Sequence, residues 1–115
     1  MTQEWMIKTL VSLGLSQVDA EIYVFLSTQG PHNGKSIAET MKLYKQVLYR
    51  SLKKLQARGI VNSSAERPTL FSSIPFEDVL DLFLEIKVKE ADILQESREE
   101  ILSSWRVITK KDNNR

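Results

Sequence analysis

The chain has 115 residues, 27% of them charged, one histidine, no cysteine and a formal net charge of +1. That length supports one domain with an apolar core plus an extension, rather than two independent domains. The lack of cysteine excludes a disulfide framework, an iron-sulfur cluster and any thiolate zinc site, and it points to a reducing cytoplasm.

Met6, Ile7, Leu10, Val11 and Leu13 recur at helical spacing before Gly14, which predicts a first helix over Gln3 to Leu13, anchored by Trp5 and capped by the glycine. Ser16, followed three residues later by Asp19, resembles a capping box. Val18, Ile22, Phe25 and Leu26 then form the apolar face of a second helix that ends at Gln29-Gly30-Pro31. His32 reads as a solvent-facing loop residue and is given no role. Asn33 suits the N-cap of a third helix, Gly34 to Met41, with Ile37, Ala38 and Met41 on one side.

After Lys42-Leu43-Tyr44, a fourth helix runs to Arg58 and is closed by Gly59. Leu48, Leu52 and Leu55 define its buried stripe, with Tyr44 and Ser51 at the border. Gln46, Arg50, Lys53 and Ala57 point the other way, with Tyr49 beside them. Ile60 to Ser64 and Thr69 to Ile74 are β-prone runs separated by Ala65-Glu66-Arg67-Pro68, so they read as a hairpin with Arg67 at or near its tip. A helix pair followed at once by such a hairpin is a winged helix-turn-helix. The expected fold is therefore mainly α with a small β-hairpin: a winged helix-turn-helix over residues 1–74, a long C-terminal helix over 75–109, and a polar, disordered tail over 110–115.

Pro75 suits a first helical turn, and no glycine or proline follows it. A helix from Pro75 to Ile108 spans ~50 Å at ~1.5 Å per residue, more than so small a core can cover. Phe76, Val79, Phe83 and Ile86 make one stripe, and Leu94, Ile101, Trp105 and Ile108 a second. Lys87 and Glu90 interrupt any strict heptad between them.

The near-neutral total hides two opposed segments. Between Pro31 and Gly59 the bases Lys35, Lys42, Lys45, Arg50, Lys53, Lys54 and Arg58 face a single acid, Glu39. From Glu77 to Glu100 nine acids face only Lys87, Lys89 and Arg98. The first segment suits phosphate and the second is repelled by it, so the long helix is expected to meet protein, most simply its own copy. Arg50 and Gln46 are the candidates for base edges, Lys53 and Tyr49 for bases or phosphates, Lys35, Lys42 and Lys45 for phosphates, and Arg67 for the backbone or minor groove. Val79, Phe83, Ile86, Leu94, Ile101 and Trp105 are the candidates for dimerisation. A two-fold dimer would set two recognition helices ~34 Å apart and predicts a palindromic operator.

Other functions find little support. The glycines fit neither a dinucleotide fingerprint nor a phosphate loop, and no serine or carboxylate pair has a suitably spaced histidine or lysine. No catalytic residue, metal ligand or cofactor is assigned. No apolar run approaches the ~20 residues of a membrane span, and Met1 to Leu10 lacks the pattern of a secretory signal. The alternatives are a winged helix used as a protein-interaction module in a larger complex, and a regulator with a small-molecule effector, for which no polar constellation argues.

The run Leu13-Gly14-Leu15-Ser16-Gln17-Val18-Asp19-Ala20-Glu21-Ile22-Tyr23, followed by Leu43 to Leu55, Gly59-Ile60-Val61 and Arg67-Pro68, resembles the DNA-binding domain of the TrmB family over residues 10–82. Those are winged-helix transcription regulators, mainly archaeal. The resemblance implies a DNA-binding transcription regulator in which Lys45, Gln46, Tyr49 and Arg50 match recognition-helix positions and Arg67 the wing arginine. Two departures stand out. Lys42 occupies a turn position where the family often has glycine, with a cost if the turn needs positive φ. Many members also carry a C-terminal sugar-binding domain, which the residues after the hairpin are too few to form, so sugar sensing is not carried over.

Overall fold

Residues 2–113, with side chains through Lys110, are described by a computed structural model. The elements are α1 (Gln3–Leu13), α2 (Gln17–Gln29), β1 (His32–Asn33), α3 (Gly34–Met41), α4 (Lys45–Ala57), β2 (Val61–Ser63), β3 (Leu70–Ser73) and α5 (Phe76–Asn113). They form two compact units, Met1–Val79 and Leu80–Arg115.

Side-chain caps start three of the helices. Thr2 accepts from the Trp5 amide at 3.2 Å, Ser16 from the Asp19 amide at 3.1 Å and Asn33 from the Ser36 amide at 2.8 Å, each satisfying a donor the helix itself cannot. The C-terminal ends share another device. Leu15, Leu43 and Ile60 donate back to the carbonyls of Leu10, Ala38 and Leu55, closing α1, α3 and α4 as Schellman motifs. Such a closure needs positive φ at the residue just before the donor. Gly14 and Gly59 supply it freely, whereas in α3 it falls on Lys42, at φ 56°.

The core of the first unit is organised around α2. Ala20, Ile22, Tyr23, Val24 and Leu26 are all buried, so this helix is enclosed on more than the single stripe its spacing predicts. It packs on α1, α4 and β3. Val18 and Phe25, expected to be core, are half-buried. Trp5 is 49% exposed, and the anchoring role expected of it falls to Leu10, which is fully buried. Leu48, Leu52 and Leu55 are buried on the inner face of α4, as their spacing requires.

The sheet is three-stranded and antiparallel, in the order β1-β3-β2. Val61 pairs with Ser73 and Ser63 with Phe71 in the hairpin, while His32 pairs with Phe71 from the other side. The strand β1 is a correction to the sequence reading, which took His32 for a solvent-facing loop residue. His32 is half-buried, its Nδ1 lies 2.8 Å from the Gly30 carbonyl, and its ring sits 5.0 Å from that of Phe25.

The helix α5 has 38 residues and so a length of ~57 Å. It continues past Ile108 to Asn113 through part of the segment expected to be a tail, and residues 114–115 of that tail lie outside the described residues. Val79 is fully buried in the first unit, which makes it core and unavailable to a partner, contrary to its assignment to a dimer face. Phe83 is also buried, at 5% exposure. Ile86, Leu94, Ile101 and Trp105, assigned with them, are exposed.

Candidate nucleic-acid interface

The helix α4 divides cleanly. Its leucines face the core, and Lys45, Gln46, Arg50 and Lys53 are exposed on the opposite side. None of these four side chains has a hydrogen-bond or ion-pair partner among the described residues, and the same holds for Lys35, Lys42 and Arg67, which are also exposed. A set of unneutralised cations, with the one amide of Gln46, on one helix and its neighbours is free to meet an anionic surface.

Lys54 is the exception. Its ammonium lies 3.4 Å from the buried carboxylate of Asp19, so the charge it adds to the segment is matched within the chain. The same contact replaces the reciprocal capping box expected at Ser16: the serine caps the Asp19 amide, while the carboxylate reaches α4.

A groove of about 360 Å³ lies between the start of α3, α4 and the hairpin, lined by Asn33, Gly34, Lys35, Tyr49, Pro68, Thr69 and Phe71. It brings Lys35, Tyr49 and the residue next to Arg67 around one depression, although they are far apart in sequence. Tyr49 is built into it rather than projecting freely. Its ring meets Phe71 edge-on at 6.5 Å, and its hydroxyl packs so closely on Gly34 that a Cβ there would collide with it. Tyr49 is still 47% exposed.

The hairpin is tied to α4 and to itself. Gln56 donates to the Ser63 hydroxyl at 2.9 Å, linking the end of α4 to β2. The Ser64 hydroxyl accepts from the amides of Leu70 and Glu66, at 3.0 and 3.3 Å, and so shapes the turn that exposes Arg67. Tyr44 departs from its expected place at the border of the buried stripe. It is the N-cap of α4, makes no side-chain cap bond and is 82% exposed. Its position one residue before the helix, outside the 3.6-residue period, was the available signal.

Elsewhere in the first unit a cleft of about 530 Å³ is lined largely by apolar residues, among them Met6, Leu10, Val24, Ile74 and Phe76. Its hydroxyls are already engaged, Tyr23 donating to the Ile74 carbonyl at 2.7 Å and Ser27 bonding Ser73 at 2.9 Å. Among the described residues no helix is long and apolar enough to cross a membrane, and no cluster of metal-ligating side chains occurs.

A profile of the family described as sugar-specific transcriptional regulator TrmB matches residues 10–77. No curated protein matches the chain in sequence. Among solved structures, a protein described as a possible transcriptional regulator from Methanosarcina mazei Go1 is similar with a TM-score of 0.65 at 20% identity, over 87% of this chain and 88% of that one. The structure of TrmBL2, described as an archaeal chromatin protein with a novel mode of DNA binding, gives 0.73 at 18% identity over 96% of this chain. This chain spans only 46% of the TrmBL2 chain. A MarR-family regulator from Silicibacter pomeroyi gives 0.55 at 18% identity, over 92% and 78%. At these identities the likeness is one of fold, that of winged-helix regulators.

Proposed function

The chain belongs to the TrmB family of transcriptional regulators, and on that premise we propose that it binds double-stranded DNA sequence-specifically as a homodimer, with α4 in the major groove. The observation that carries this reading is the outer face of α4, where Lys45, Gln46, Arg50 and Lys53 are exposed and unpaired among the described residues. Arg50 and Gln46 have the donor patterns for guanine and adenine edges. Lys35, Lys42 and Lys45 neutralise phosphates, and Arg67 follows the backbone or enters the minor groove from the wing. Tyr49, held by Gly34 and Phe71 and still half-exposed, lies beside these side chains for a base or a phosphate.

The exposed apolar residues Ile86, Leu94, Ile101 and Trp105 on α5 support the homodimer, since so many unburied large side chains on one helix call for a partner surface. The family's sugar ligand is not part of this reading. Selection from a random DNA pool tests the proposal: enriched palindromic sequences with affinity falling steeply in salt are expected. Recovery of a stoichiometric protein partner with no DNA retained would favour the alternative, a winged helix serving as a protein-interaction module.

A further inference from the structure

The second unit carries its charges unevenly along α5. From Glu90 to Glu100 the acids are Glu90, Asp92, Glu96, Glu99 and Glu100, with Arg98 the one base, whereas Ile101 to Lys110 contains Arg106 and Lys110 and no acid. Local pairing does not remove this asymmetry. Lys87 binds Glu90 and Arg98 binds Glu99, but Asp92, Glu96, Glu100, Arg106 and Lys110 have no ion-pair partner among the described residues. The same stretch holds exposed apolar side chains: Ile93 and Leu94 at 63%, Ile101 at 50%, Trp105 at 60%, Val107 at 67% and Ile108 at 54%.

We propose that this stretch pairs with the same stretch of a second copy in antiparallel orientation, crossing at Ile101. The proposal rests on the dimeric reading above and adds its direction. Side by side in the same direction, acidic half would lie along acidic half; reversed, each acidic half lies along the basic half of the other helix. Side-chain placement agrees. On an ideal two-stranded pair with its two-fold at Ile101, Leu94 meets the partner's Ile108 and Ile93 the partner's Val107, so each exposed aliphatic covers another. Arg98 is level with the partner's Trp105, within reach of a cation–π contact.

A parallel, in-register pair would instead set Ile93 against the partner's Arg98 and Glu100 against the partner's Trp105, leaving each poorly matched. The small Ser97 and Ser104 flank Ile101 and Trp105 and leave a shallow notch on the helix surface, lined also by Glu100 and Ile108, where the two backbones can approach. The reversed pair does bring the two Glu100 carboxylates together, on its wet flank where salt screens them. The seam from Leu94 to Ile108 also lies wholly beyond Lys87 and Glu90, the residues that break the heptad.

The absence of cysteine from the chain makes the test clean. Leu94→Cys and Ile108→Cys variants of the full chain, one of them tagged, are oxidised separately and as a mixture, with sedimentation velocity run in parallel. Antiparallel pairing predicts strong cross-linking only in the mixture, between unlike chains. Self-cross-linking of Leu94→Cys alone, or a dimer in which the mixture does not cross-link, would overturn the direction while leaving the dimer standing. A monomer at all concentrations would overturn both, and DNA binding by the same variants, measured separately, reports on the regulator reading independently.

Discussion

The carboxylate of Asp19, a residue only 4% exposed, lies 3.4 Å from the ammonium of Lys54 and joins the first turn of α2 to the inner flank of α4. The other carboxylate oxygen is buried with no protein partner, so this single contact carries the neutralisation of the group. Lys54→Met should destabilise the fold by about 1 kcal/mol, held to that scale because the lysine is half-exposed and its attraction partly screened. Adding Asp19→Asn should recover most of the loss. DNA affinity should be unchanged in both variants, a result that chemical denaturation and a binding titration together would check.

Lys42 holds positive φ in the turn between α3 and α4 where glycine would do so without strain. Lys42→Gly should therefore raise stability by about 1 kcal/mol, the scale of the penalty a side chain incurs in the left-handed region. It should at the same time weaken binding to all DNA sequences alike through loss of a phosphate contact. Lys42→Ala should weaken binding without the stability gain, which separates strain from charge.

Gly34 and Tyr49 should be energetically coupled. Alanine in place of a helical glycine normally gains up to about 1 kcal/mol, but here its methyl group would meet the Tyr49 hydroxyl. Gly34→Ala should stabilise the Tyr49→Ala background and fail to stabilise the wild type, a non-additivity that a double-mutant cycle measures directly.

Burial pushes the Tyr23 phenol above its ordinary pKa of 10.0, with the nearby Asp78 charge adding to the effect and a hydrogen bond involving Ser27 opposing it. The unfolded chain thus loses this proton at lower pH than the folded one. The stability Tyr23 contributes is complete below pH ~10 and declines as pH rises through the folded value. Thermal unfolding should show a loss of stability above pH ~10 that is smaller in Tyr23→Phe. At neutral pH that variant should cost about 1 kcal/mol, because it removes the bond to the Ile74 carbonyl.

Arg50→Ala should reduce discrimination at one base position by about 1–3 kcal/mol, whereas Lys45→Ala should lower affinity for every sequence and reduce the salt slope by about 1. Titrations of cognate and scrambled duplexes at several salt concentrations distinguish the two.

The helices were legible because each combines a period with its stops. Asn33 and Met41 bound α3 where the spacing of Ile37 and Ala38 places it, and Gly14 and Gly59 close α1 and α4. What escaped was set by contacts between distant segments. Two residues cannot display an alternation, so β1 at His32 and Asn33 was visible only through its pairing with Phe71 and Leu70. The wheel of α4 placed Tyr49 at the surface, but its confinement depends on the missing Cβ of Gly34, 15 positions earlier. Periodicity likewise put Val79 on an apolar stripe without saying whether its own domain or another chain would cover it.

The strand order β1-β3-β2 gives the longest strand, β3, a neighbour on each side. The outer strands have two and three residues, so each lateral border offers very few unpaired amides and carbonyls to an incoming chain. Copies crowded together therefore have little in this sheet through which to zip into a fibre.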